Sequence, residues 1–400
     1  MNTNATIKTL TFLMFMMFGM TTESVGVIIP EIIKEFKLTM TEAGAFHYAP
    51  MTAIALAGIS LGFLADKLGR KRSIVLGLML FAIASYLFAA GNSFLFFVAL
   101  LAVSGVAIGI FKTGALALVG DITNSTTEHT STMNTVEGFF GMGAIIGTAI
   151  VARLVAANFS WKYLYVIAGT VCVALILVAL FVKYPVTMKK TEEPIDFSRT
   201  FRMIGDPYAL AFSSGIFLYV AVECAIYVWM PTLIKDQRGF FALYALTIFF
   251  VVRAIGRFMG AWVLAHFDWT TVLALFSFAI LLCFAGSVWL GAGAAVFLLP
   301  ISGLFMSVLY PTLNSKGISC FQKTQHGAVS GVILFFTCAA AALGPLAMGY
   351  VSDLFHDPKA GFVLATLFAV LLFTGCLFNF FRKPATERLL KLEASEYAIN

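Results

Sequence analysis

Apolar residues along this chain fall in long runs separated by short polar stretches, and the runs recur from one end to the other. They reach about 18 residues or more, the length a helix needs to cross the hydrocarbon core of a bilayer. Twelve are read, at 9–31, 44–65, 73–91, 94–119, 132–156, 161–184, 208–233, 241–265, 270–291, 294–316, 327–352 and 360–381. The one long polar stretch inside the chain, 185–207, carries Lys189, Lys190, Glu192, Glu193, Arg199 and Arg202. The pattern predicts an all-α polytopic membrane protein of twelve transmembrane helices. A six-helix bundle over 1–184 is followed by a linker over 185–207. A second bundle with a short tail then covers 208–400.

Composition strengthens that reading. Hydrophobic residues make up 60% of the 400 and charged residues 12%, against about twice that charged share in a soluble domain. Basic residues cluster after the second run (Lys67, Arg70, Lys71, Arg72), the sixth (Lys183, Lys189, Lys190) and the twelfth (Arg382, Lys383, Arg388). An even number of spans puts the three clusters and both termini on one side, which the positive-inside rule makes cytoplasmic in a plasma (bacterial inner) membrane. The net charge of +6 belongs to these loops and implies no nucleic-acid partner. The first run is too long for a signal peptide and lacks a small-residue cleavage site, so it reads as a retained helix.

The six cysteines are scattered singly, with no CxxC or His/Cys spacing, so neither a metal site nor a disulfide framework is expected. No phosphate-binding loop of the G-x-x-x-x-G-K-[ST] form occurs, which argues against a primary pump. No nucleophile–base constellation is apparent, so the expectation is not an enzyme, with no cofactor and a monomeric state.

Glu23, Lys112, Glu137 and Glu223 are ionisable residues embedded in apolar runs. Charge at membrane depth costs about 2.5–3.5 kcal/mol on insertion scales, so such groups face a bundle interior or an aqueous cavity and mark a solute or ion path. Lys112 near the end of the fourth run and Glu137 near the start of the fifth reach similar depth on antiparallel helices, so an ion pair is expected, either static or switched by protonation. Glu23 reads as a cavity-lining carboxylate or a snorkelling rim residue. Glu223 is deepest and has no basic partner in its own run, which makes it the first choice for proton coupling, with Glu137 and Glu23 as further coupling carboxylates. Tyr219 and Tyr227 flank Glu223 on its helix and, with carboxylates nearby, suit the gripping of a sugar ring. Trp229 reads equally as packing. In the tenth run Pro311 is a candidate hinge, with Tyr310 and Asn314 on one face. His47 and Arg153, near helix ends, read as structural.

Gly62-Phe-Leu-Ala-Asp66-Lys67-Leu-Gly69-Arg70-Lys71-Arg72 lies in the loop after the second run and resembles the signature loop of the major facilitator superfamily. The resemblance implies two pseudo-symmetric six-helix halves with substrate at the midplane. It also implies a conformational role for Gly62, Asp66, Gly69, Arg70 and Arg72, with Asp66, Arg70 and Arg72 expected to form a latch. The arginine of the superfamily's fourth-helix signature is missing, since Leu101 and Gly105 stand there. The fifth helix has Gly138, Gly141, Gly143 and Gly147 without the proline of drug–proton antiporters; these glycines read as close helix packing.

Asn134-Thr-Val-Glu137, Tyr219-Val-Ala-Val-Glu223, Gly256-Arg257-Phe-Met-Gly260, Tyr310-Pro311-Thr-Leu-Asn314 and Gly344-Pro345 form an ordered series. The series resembles the fucose–proton symporter and glucose/galactose transporter family, which moves monosaccharides inward with protons or, in some members, sodium. Buried charge, aromatic spacing and this series together make Glu23, Lys112, Asn134, Glu137, Tyr219, Glu223, Tyr227, Tyr310 and Asn314 the candidate solute contacts, Asn314 reading equally as a structural residue in a helix interface. The acids have moved: Glu23 stands where the family has a polar amide, Gly26 where it has an acid, Lys112 where it has a glutamate, and Glu137 where it has a glutamine. The expected function is therefore secondary active import of a small polar, sugar-like solute with a coupling cation, a proton or sodium. The alternative is proton-coupled export of amphipathic drugs or of an organic anion paired with Lys112. A receptor-like membrane sensor is a third reading.

Overall fold

The computed structural model describes residues 3–61, 67–123, 126–184, 203–322 and 325–396. Gly62, Asp66 and the linker charges between Lys189 and Arg202 lie outside the described residues. No strand occurs among those described, and the chain divides into two compact units, 1–191 and 192–400.

Unit 1 runs through α1 (Thr3–Thr22), α2 (Val25–Phe36), α3 (Met40–Ala43), α4 (Ala45–Leu61), α5 (Arg70–Leu87), α6 (Phe94–Ile122), α7 (Thr126–Ala156) and α8 (Tyr163–Phe181). Unit 2 begins with α9 (Pro207–Cys224), which passes through a π-helical segment, Ala225–Trp229, into α10 (Met230–Leu233). It continues with α11 (Phe240–Leu243), α12 (Ala245–His266), α13 (Trp269–Leu290), α14 (Ala292–Ser319), α15 (His326–Phe355), α16 (Pro358–Arg382) and α17 (Pro384–Glu396). Ten of the helical stretches are long and apolar enough to cross a membrane, α1 with α2 counting as one and α9 through α10 as another. The second and third predicted runs are α4 and α5. The described part of α4 is 17 residues long, and α5 opens on Arg70-Lys71-Arg72.

Local chemistry sets the helix ends. The Asp206 side chain accepts from the backbone N–H groups of Tyr208 and Ala209 at 2.8 and 3.2 Å, with Pro207 at the first helical position. Asp357 and Pro358 open α16 in the same way. Both satisfy donors that a helix start leaves without partners. The first run is not one helix as expected, because it breaks at Glu23-Ser24. Thr22 Oγ1 bonds the Phe18 carbonyl at 3.0 Å and Ser24 Oγ the Met20 carbonyl at 2.6 Å. These hydroxyls serve carbonyls at the end of α1 and offer the backbone an alternative to continued helix.

Helices in lipid cannot rely on a hydrophobic force between them, so close backbone approach decides packing. A Cβ on Gly143 would lie 1.9 Å from the Met16 carbonyl oxygen, and one on Gly147 2.1 Å from that of Met20, so α7 lies directly against α1. Gly138 and Gly141 behave otherwise. Nothing lies within 4 Å of where their Cβ atoms would be, which corrects the expectation that all four glycines serve packing. In unit 2, Gly256 and Gly303 bring α12 and α14 together, with 2.7 Å to the Leu304 oxygen and 2.8 Å to the Phe249 oxygen. The mainly aliphatic core of unit 1 holds a cluster of phenylalanines. Phe18 sits between Phe81 and Phe111 with ring centroids 4.8 and 4.6 Å away.

Candidate functional site

In unit 2 the first long helix carries Tyr219 and Glu223 four residues apart, hence on one face. Glu223 is 7% exposed and Tyr219 1%. Glu223 Oε1 lies 2.6 Å from Nη2 of Arg253 on α12. The Tyr219 hydroxyl reaches the same Oε1 at 2.8 Å and the Met306 carbonyl of α14 at 2.9 Å. One hydroxyl proton thus has two acceptors, and the Tyr219–Glu223 pair joins three helices, α12 at the carboxylate and α14 at the hydroxyl. The Tyr310 ring, also on α14, has its centroid 6.1 Å from that of Tyr219.

Glu223 has no basic partner within its own run, as expected, and its partner comes from another helix. The partner stands on the neighbouring helix, where spacing within one run cannot reveal it. The sequence did carry a signal. Arg253 and Arg257 stand four residues apart in the apolar run 241–265, and an arginine there is as costly without a partner as the carboxylate.

Two residues beyond Glu223 the helix widens into its π segment, where Cys224 Sγ and the Tyr227 hydroxyl are 2.7 Å apart. Trp229 is 1% exposed and its Nε1 donates to the Pro345 carbonyl of α15 at 3.0 Å, so it is a packing residue. π segments inside α-helices are rare and concentrate at functional sites. Pro311 and Pro300 both stand inside α14, which runs unbroken through them. Asn314 is partly buried on α14.

Unit 1 presents a different arrangement. Lys112, partly buried on α6, has its Nζ 5.3 Å from the ring centroid of Phe140 on α7. Glu137 is exposed on α7, and among the described residues no ion pair joins it to Lys112. The expected pair is therefore not formed. A lysine over an aromatic face gains about 0.5–2 kcal/mol, less than insertion of the charge costs. Glu23 lies partly buried at the break between α1 and α2. Asn134 belongs to α7, and its side chain lies outside the described set.

Of the residues expected to form the latch, Arg70 and Arg72 are described and Asp66 is not. Arg70 Nε pairs with Asp121 Oδ2 at 3.0 Å, linking the start of α5 to the end of α6. Lys71 Nζ donates to the Leu180 and Val182 carbonyls at 2.9 Å, at the negative end of the α8 dipole. Arg72 is exposed, and Gly69 takes a positive φ of 86° that admits the turn before α5. His47 is 2% exposed near the start of α4, and Arg153 is exposed in the last turn of α7.

Apolar helices of spanning length with charged groups held inside them define a polytopic membrane protein. Residues 11–345 match the model of the Major Facilitator Superfamily, and the chain belongs to that family. It is 26% identical over 404 residues to an L-fucose–proton symporter of Escherichia coli strain K12, covering 90% of each chain. To a glucose/galactose transporter of Brucella abortus it is 24% identical over 383 residues, covering 91% of this chain and 92% of the other. Among solved structures, a bacterial homologue of the human lysosomal transporter Spinster, inward-facing and occupied, matches with a TM-score of 0.79. That match covers 97% of this chain and 98% of the other at 14% identity, a likeness of fold. The protein is a membrane transporter and not an enzyme.

Proposed function

We propose that the protein imports a small polar, sugar-like solute by alternating access, driven by protons, in a plasma (bacterial inner) membrane with both termini in the cytoplasm. The observation that carries this reading is the Glu223–Arg253 pair, with the Tyr219 hydroxyl on the same carboxylate oxygen. The similarity to two monosaccharide carriers over nine-tenths of the chain supports the solute class.

As a carboxylate, Glu223 ties α9 to α12 through a charge-assisted bond. Once protonated it binds a guanidinium far less strongly. The new O–H points to the Tyr219 oxygen, and the Tyr219 O–H turns to the Met306 carbonyl. A neutral chain of hydrogen bonds then replaces the ion pair without leaving a buried acceptor bare. Arg253 is released, and α12 is free to move relative to α9. Proton uptake thereby becomes a change in which helices are tied. Tyr227, Tyr310 and Asn314 are the further unit 2 contacts proposed for the solute, with Glu23, Lys112, Asn134 and Glu137 from unit 1. Glu137 and Glu23 are secondary candidates for the proton.

The test is uptake into proteoliposomes under an imposed proton gradient and then under a sodium gradient, for wild type and Glu223→Gln. Accumulation driven by protons in wild type and lost in Glu223→Gln is expected. Accumulation that follows sodium alone, or that persists in the variant, removes the proton from Glu223.

A further inference from the structure

We propose that Lys112 is an anion subsite within unit 1, so that the transported solute is a hydroxylated monocarboxylate, such as a sugar acid, rather than a neutral sugar. The proposal rests on the carrier reading above and narrows its substrate class.

The argument begins with charge. An ammonium has three N–H donors and no acceptor, and inside a membrane span it needs partners for them. The Lys112 ammonium lies over the Phe140 ring, 5.3 Å from its centroid. A ring face satisfies one direction by its quadrupole and leaves the others to seek oxygen. No carboxylate of the described residues is paired with it. Arg253, by contrast, has Glu223 Oε1 at 2.6 Å from its Nη2, so this fold supplies a protein counter-charge to one intramembrane cation and, among the described residues, not to the other.

Room and polarity point the same way. On α7, Glu137 shares a face with Phe140 three residues on and with Gly141 four residues on, and nothing lies within 4 Å of where a Cβ on Gly141 would be, so the backbone next to that face is uncovered. An aromatic face next to bare backbone accepts the apolar side of a hydroxylated chain or ring, while the ammonium takes its carboxylate. Glu137 is exposed one residue before Gly138. Its carboxylate accepts hydroxyls and repels a second negative charge, which selects a monoanion over a dianion.

The experiment uses the intact protein in detergent and pairs of probes that differ only in charge: galactose with galacturonate, and glucose with gluconate. Binding stabilises the folded state in proportion to occupancy, so thermal shift reads each probe directly. The expected result is stabilisation by an acid and not by its neutral partner. Lys112→Met should weaken that binding roughly tenfold or more, and Lys112→Arg should largely restore it. An unlowered melting temperature of unliganded Lys112→Met separates loss of a site from loss of the fold. If a neutral hexose stabilises wild type and Lys112→Met alike, the anion subsite falls while the sugar-carrier reading stands. If neither acid stabilises wild type, the subsite also falls, and the carrier reading is judged by the uptake experiment alone.

Discussion

Arg253 in unit 2 and Lys112 in unit 1 are both cations within membrane-spanning helices, yet Arg253 lies 2.6 Å from Glu223 while Lys112 faces the ring of Phe140. The first long helix of each unit is interrupted beside an acid. In unit 1 the break falls at Glu23-Ser24, with a Val27 N–H to Ser24 carbonyl bond of 3.1 Å beside it. In unit 2 the wide π segment follows Glu223. Glu23 stands seven residues before Pro30 and Glu223 eight before Pro231, and one added residue is what a π turn accommodates. Interrupted helices at matching places in the two halves of a transporter point to where solute and coupling ions bind. The difference teaches how charge is put to use here. In unit 2 it is neutralised internally and ties helices together, whereas in unit 1 a cation is left with a surface that a ligand can complete.

Removing a charge should therefore have opposite consequences in the two units, and the largest effect belongs to the pair. Arg253→Met leaves Glu223 buried without its cation and should cost about 3–5 kcal/mol. Thermal unfolding in detergent should show the double variant Arg253→Met with Glu223→Gln recovering much of that loss. A double variant no better than the single would show that Arg253 acts through packing instead.

Tyr219→Phe comes next. It deprives the Glu223 carboxylate and the Met306 carbonyl of a donor inside the core, for about 1–3 kcal/mol. Uptake measured against pH should show the proton-driven component reduced. An unchanged pH profile would mean that the tyrosine only braces the pair.

Lys112→Met should move in the other direction. The unliganded protein should melt at the same temperature or higher, since the lost ring contact is worth about 0.5–2 kcal/mol and the cost of holding a charge in the span disappears. A marked fall in melting temperature would reveal a structural partner and erase the contrast between the units.

The smallest effect is expected at Gly141→Ala. The new methyl meets open space, and a helical Gly to Ala change favours the helix by about 0.5–1 kcal/mol. The same change at Gly143 drives a methyl into the Met16 carbonyl and should prevent normal assembly of unit 1. Equal tolerance at both positions, read by yield of folded protein, would contradict the packing of α7 on α1.

Much of this was legible in the sequence, because membrane insertion is governed by composition over about twenty residues. The long apolar runs, the polar stretch between the two units and the basic loops all follow from that, and so does Glu223 as a residue that needs an explanation. The break at Glu23-Ser24 was half visible in the hydroxyls of Thr21, Thr22 and Ser24, which compete locally for backbone carbonyls. Equal-looking glycines were not legible: Gly138 and Gly143 differ only in what faces them, and that is set by a neighbouring helix.

Hydropathy and motif alone make this chain a helical membrane transporter and mark the residues that carry charge where charge is expensive. How those charges are matched depends on helix packing. Packing set Glu223 against Arg253 with the Tyr219 hydroxyl on the same carboxylate, set Arg70 against Asp121, and placed Lys112 over Phe140 instead of beside Glu137. The physical reason is range. Hydropathy acts through a single segment and the lipid around it. An ion pair depends on the rotation and depth of two helices set to within an ångström or so by side-chain packing, and no run of residues read alone contains that information.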